Sequence, residues 1–104
     1  MGVRIIAERW LKDAAEAFPK AASYLAHWRT VVSAAQWNSL ADVRRQYPSA
    51  DAVRVASGGT VVVFNVCGND FRLITAIHYN TQRVFTLRCL THAEYSKDKW
   101  KAEL

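Results

Sequence analysis

The hydrophobic period of the chain changes near Ala52. Before that point apolar residues recur at three- and four-residue spacing; after it they come in β-branched and aromatic runs separated by turn residues. Helices first and strands afterwards predict an α+β chain, with the N-terminal helices packed on one face of a small antiparallel sheet.

Within the first half, Val3 to Ile6 reads as a short edge strand, and Ala7, Trp10, Leu11, Ala14 and Phe18 mark one helical stripe. Pro19 disfavours helical dihedrals at Phe18 but suits the first turn of a new helix, so a second helix is expected from there to about Ala35. Its stripe is Ala22, Leu25, Trp28, Val32 and Ala35. Ser39 followed by Asp42 has the spacing of an N-terminal cap, which predicts a third short helix facing Leu40, Val43 and Tyr47 inward and ending at Pro48.

In the second half the expected strands are Val53 to Ala56, Thr60 to Val66, Phe71 to His78 and Arg83 to Leu90. Their short connections allow only hairpins. A two-residue turn at Gly68-Asn69 sets Val66 against Phe71, Phe64 against Leu73, and Asn65 against Arg72 on the other face. In the following hairpin, burial requires Phe71, Leu73 and Ile77 to share a face with Phe85, Leu87 and Cys89, which leaves Arg72 and Arg88 together on the opposite one. Thr91-His92-Ala93-Glu94 has capping-box spacing, so one last helix is expected with His92 at its start and Tyr95 three residues on.

The chain of 104 residues, 51% apolar or aromatic, has room for one domain spanning residues 1–104. Fourteen Lys and Arg against nine Asp and Glu give a net charge of +5, which suits an anionic partner such as nucleic acid but equally suits a merely soluble protein. Cys67 and Cys89 sit in apolar surroundings, no signal peptide precedes them, and the apolar runs are too short for a bilayer. The expectation is a cytoplasmic protein with no membrane partner.

No Gly-rich phosphate loop, paired-cysteine or His-x-x-x-His spacing, or carboxylate cluster is present, so neither a metal nor another cofactor is expected. RNA permits chemistry without either, because its 2′-hydroxyl can attack the adjacent phosphate once a proton is removed and the developing charge is held. Arg72 and Arg88 offer planar cationic forks for phosphate oxygens, His92 a proton carrier near neutral pH, and Tyr95 a ring for stacking or a hydroxyl. These four are the candidate catalytic residues; Asn65 and Lys99 are candidate RNA contacts. Each has a structural reading as well: the arginines as solvent-facing sheet residues, His92 as a first-turn residue, Tyr95 as packing, and Lys97, Lys99 and Lys101 as a solvated face. His27 and His78 read as structural, and Glu8 with Lys12 as a surface i,i+4 pair.

Val63-Phe64-Asn65-Val66-Cys67-Gly68-Asn69-Asp70-Phe71-Arg72-Leu73, followed by Thr91-His92-Ala93-Glu94-Tyr95, resembles the motifs of the HigB toxins related to RelE, with supporting likeness in Ile5-Ile6, Leu11-Lys12 and Ala15 and in Asp42-Val43 to Tyr47-Pro48-Ser49-Ala50-Asp51. Cys67 stands where that family usually has glycine, Leu90 where glycine often precedes the Thr-His step, and Ser96 where Asp is frequent. The resemblance implies a RelE-like fold and a cytoplasmic toxin that cleaves mRNA, often on the ribosome, and is silenced by a helix-turn-helix antitoxin of the HigA kind. Arg72, His92 and Tyr95 fall on motif positions, while Arg88 is placed by strand spacing. A catalytically silent RNA- or ribosome-binding module of the same fold is the alternative. A DNA-binding protein is disfavoured, since no helix pair shows a helix-turn-helix turn.

Overall fold

Pro19 divides the N-terminal helical region as its chemistry requires. Phe18 leaves helical dihedrals (φ −128°, ψ 79°) between α1 (Arg9–Ala17) and α2 (Pro19–Ala34). Residues 2–68 and 70–104 are described by this computed structural model. The chain continues through α3 (Leu40–Gln46) and closes with α4 (His92–Ser96) and α5 (Lys99–Glu103). The strands are β1 (Arg4–Ile6), β2 (Asp51–Arg54), β3 (Thr60–Val66), β4 (Phe71–His78) and β5 (Arg83–Thr91). The α+β architecture, with the N-terminal helices on one face of the sheet, is the one expected.

The sheet has the order β1-β5-β4-β3-β2. β2 to β5 form the antiparallel meander, whereas β1 joins parallel to β5, with Ile5 opposite Val84, so the five-stranded sheet is mixed. β2 starts and ends two residues earlier than its apolar residues suggest, because its partner residues in β3 are Val63 to Thr60. The hairpin of β3 and β4 has the expected register: Val66 opposite Phe71, Asn65 opposite Arg72, Phe64 opposite Leu73. Asn69, half of the expected turn, lies outside the described residues, but beside it the Asp70 N–H donates to the Cys67 carbonyl at 3.4 Å.

Between β4 and β5 the register slips. Ile74 pairs with Arg88 and Thr75 with Thr86, leaving Leu87 as the extra residue of a bulge. The expectation that Phe85, Leu87 and Cys89 share the helix-covered face is therefore corrected: Cys89 packs there, Val84 takes the buried place further along, and Leu87 packs on the other side.

Phe64 is the centre of the main core. Its ring lies 5.4 Å from Trp28 and 5.3 Å from Tyr47, both edge-on, and 6.2 Å from Trp37 in a stacked arrangement. Around them pack Leu11 and Ala14 of α1, Ala21, Leu25 and Val32 of α2, Val43 of α3, and Val62, Val66, Leu73 and Val84 of the sheet. A second apolar cluster forms on the opposite face, where Trp100 of α5 covers Val55, Val61, Val63 and Ile74. The single last helix expected from the sequence is two, separated by Asp98 in a left-handed conformation (φ 61°) that turns Trp100 back onto the sheet. Among the described residues no helix is long and apolar enough to cross a membrane.

Burial pushes the Cys89 thiol up to about 11 and the Tyr47 hydroxyl up to about 12. Both raised values favour the protonated, folded state; the unfolded chain releases these protons first, so stability should decline as pH rises from about 9 towards 12. At pH 8, iodoacetamide should alkylate Cys89 at least about tenfold more slowly in the native protein than in urea, since the thiolate is the reacting form. Equal rates would contradict the burial described.

Candidate active site

The β-sheet face opposite the main core, which holds the second apolar cluster, also carries Asn65, Arg72 and Arg88. Asn65 pairs with Arg72 across β3 and β4; Arg72 pairs with Leu90, and Ile74 with Arg88, across β4 and β5. Arg72 and Arg88 thus stand two positions apart on neighbouring strands, on one face, as expected. The bulge begins just beyond Arg88, so it does not upset this relation.

Arg72 is only 9% exposed, and its charge is held by specific partners. Its Nη1 donates to the Phe71 carbonyl at 3.0 Å, and its guanidinium carbon lies 5.5 Å from the centre of the Tyr95 ring. Tyr95 in turn stacks on Trp100 at 5.2 Å with 17° between the planes, and the Trp100 Nε1–H donates to the Tyr95 carbonyl at 3.0 Å. The ring is half-buried: it packs against α5, as the structural reading of Tyr95 expects, and its other contact is with the Arg72 guanidinium.

The place of His92 follows from the cap of α4. The Thr91 hydroxyl accepts the Glu94 N–H at 3.3 Å and itself donates to the Glu94 carboxylate at 3.2 Å. The His92 N–H donates to the Asp70 carbonyl at 3.0 Å, fixing the first residue of α4 to the turn that precedes Arg72. Its side chain is exposed. The same turn is anchored to α2 by an ion pair between Lys20 and Asp70 and by the Cys67 thiol donating to the Lys20 carbonyl at 3.4 Å. Cys67 holds a left-handed conformation (φ 52°), which explains why glycine suits this position and why cysteine there is a costly departure.

Arg88 is half-buried. Its Nη1 donates to the Leu87 carbonyl at 2.7 Å, and its guanidinium carbon lies 5.0 Å from the centre of the Trp10 ring. Trp10 is a site neighbour that sequence reasoning missed: its helical spacing placed it with the core stripe, and nothing in the local pattern linked it to β5.

Lys99 is exposed at the start of α5, beside an open cavity of about 280 Å³ lined also by Leu90, Lys97, Trp100 and two glutamates. Leu90 is the strand partner of Arg72, so this cavity adjoins the arginine face. Lys101 pairs with Asp98 at 3.3 Å. The proposed surface pair of Glu8 with Lys12 is replaced by one between Glu8 and Arg29 of α2. His78 lies edge-on to Phe85 at 5.1 Å, a packing contact. Among the described residues no three His, Cys, Asp or Glu side chains gather as a metal site requires.

Two cationic forks on a sheet, an aromatic ring against each of them, and an imidazole at the adjoining helix start form a surface able to grip a phosphate and move a proton beside it. N-terminal helices backing a five-stranded mixed sheet are consistent with a RelE-like fold. The chain belongs to the HigB toxin family, whose model, described as the RelE-like toxic component of a toxin-antitoxin system, matches residues 21–98. It is 26% identical over 93 residues, 89% of this chain and 88% of the relative, to the mRNA interferase toxin HigB of Escherichia coli (strain K12). Proteins named mRNA interferase HigB from Escherichia coli O157:H7 and Shigella flexneri match with the same 26% identity and the same coverage.

Proposed function

We propose that residues 1–104 act as one toxin domain, a metal-independent endoribonuclease that cuts mRNA and so stops translation. The observation that carries this reading is the shared face of Arg72 and Arg88, with Tyr95 over Arg72 and the capped start of α4 beside it. The named activity of the relatives supports it.

Arg72 and Arg88 bind the scissile phosphate and stabilise the charge that builds on its oxygens. The 2′-oxygen attacks phosphorus, the bond from phosphorus to the 5′-oxygen breaks, one proton leaves the 2′-hydroxyl and one reaches the departing 5′-oxygen. The products are a 2′,3′-cyclic phosphate and a 5′-hydroxyl. His92 carries a proton in this exchange, Tyr95 orients the nucleotide by stacking or assists with its hydroxyl, and Asn65 and Lys99 hold flanking RNA. The substrate is a message on the ribosome, the compartment is the cytoplasm, and the silencing partner is a helix-turn-helix antitoxin of the HigA type.

His92→Gln tests the proton transfer. Because the side chain is exposed, melting should be unchanged, while single-turnover cleavage of a translated message should fall by about 10²-fold or more. Wild-type cleavage by this variant would remove His92 from the site. Product ends bearing a 5′-phosphate, or cleavage of a message with 2′-deoxyribose at the cut, would overturn the mechanism.

A further inference from the structure

Thr86 is buried to 1% exposure, and its hydroxyl donates to the Ile6 carbonyl at 3.3 Å and to the Ala7 carbonyl. Together with the parallel pairing of Ile5 with Val84 and Ile6 with Phe85, these bonds fix where the chain leaves β1. Ala7 then takes a left-handed turn (φ 62°), and α1 begins at Arg9, so Trp10 arrives beside the stretch of β5 that holds Arg88. On β5 itself the extra residue Leu87 re-aims the strand immediately before Arg88. Bulge and helix therefore converge on one guanidinium, held by the Leu87 carbonyl at 2.7 Å and the Trp10 ring at 5.0 Å.

The Arg72 guanidinium has the same kind of support, a neighbouring backbone carbonyl and an aromatic ring, from Phe71 and Tyr95. A long arginine on a sheet surface has many rotamers, and restricting them in advance is what makes a cation effective on a charge that develops only during reaction. We propose that Trp10 is a positioning residue for Arg88: its ring holds the guanidinium by a cation–π contact in the orientation that meets the scissile phosphate. This inference rests on the ribonuclease reading above. It assigns to α1, which the motifs do not include, a part in the site.

Trp10→Leu, Trp10→Phe and Arg88→Gln, singly and with Trp10→Leu combined with Arg88→Gln, are compared by cleavage of a defined mRNA in a reconstituted translation reaction. A cation–π contact of ordinary strength predicts that Trp10→Leu lowers kcat about 3- to 30-fold with KM nearly unchanged, and that Trp10→Phe recovers part of the loss. In the Arg88→Gln background the Trp10 substitution should have no further effect on kcat, because the guanidinium proposed to meet the phosphate is gone, and Arg9, whose guanidinium carbon lies 5.2 Å from the centre of the same ring, is given no part in the reaction. A wild-type kcat in Trp10→Leu, or a loss that multiplies with that of Arg88→Gln, overturns the inference while leaving the site intact. Wild-type cleavage by Arg88→Gln overturns both this inference and the role given to Arg88. Should Trp10→Leu fold poorly by its melting curve, Trp10→Phe alone decides: it keeps an apolar ring, and either an unchanged kcat or a loss that multiplies with that of Arg88→Gln overturns the proposal.

Discussion

With Arg72 replaced by alanine, RNA cleavage should fall by about two to three orders of magnitude and growth arrest should disappear. The expectation rests on burial as much as on charge. Arg72 is 9% exposed, and its guanidinium is held between the Phe71 carbonyl and the Tyr95 ring, so under the proposed mechanism it would meet a phosphate already oriented and already stripped of most of its water. A surface lysine could not replace it without ordering itself first. Arg72→Lys should therefore retain some RNA binding, since the charge remains, yet cut at least about tenfold more slowly than the parent because the planar fork is lost. The fold should survive either change: the second apolar cluster is built from Val55, Val61, Val63, Ile74 and Trp100 and does not include Arg72. Thermal melting checks that point, and full toxicity in Arg72→Ala would exclude the residue from the reaction.

The second large effect lies far from the chemistry. Phe64→Ala should destabilise the protein by about 3–5 kcal/mol, read as a lower urea midpoint. The ring touches Trp28, Trp37 and Tyr47, which come from α2, the segment after it, and the end of α3, and Phe64 itself belongs to the middle of β3. Its removal leaves a gap that three large rigid rings from three separate segments cannot close together. A domain of ordinary stability, about 5–15 kcal/mol, loses a large fraction of it by such a change. Tryptophan fluorescence reports the transition directly, because Trp28 and Trp37 are almost fully buried against that ring. A loss below about 1 kcal/mol would show that the core reseals and that Phe64 is not its centre.

Features that local chemistry dictates were legible in the sequence. Pro19 had to break the helix at Phe18; a tight turn after Val66 had to pair Asn65 with Arg72; Thr91 had to cap a helix starting at His92. The arginine face followed from these, because the pairing from Phe71 as far as Arg88 is determined by the need to bury Leu73 opposite Cys89. What lay beyond reach depended on distant partners. Leu87 is as apolar as its neighbours, so nothing in the alternation marked it as the extra residue of a bulge, and the two buried faces of the sheet both accept leucine. A strand of three residues such as β1 carries no sign of the edge it will join, so its parallel pairing with β5 was not expected. Glu8 had Lys12 at favourable helical spacing but pairs with Arg29, a residue brought close only by the packing of α1 on α2. The covering of the second face by Trp100 required the left-handed turn at Asp98, a conformation no residue pattern announced. For the same reason Trp10 passed as a core residue: its contact with Arg88 exists only once β1, its turn at Ala7 and the bulge are all in place.

The central claim is that this chain cuts messages during translation, and mapping new 5′ ends on cellular mRNA after tightly controlled expression tests it most directly. The account predicts ends within translated regions that vanish with Arg72→Ala or when the antitoxin is expressed alongside. Growth arrest without new ends would contradict it, and would mean that the arginine face binds RNA or the ribosome without cutting.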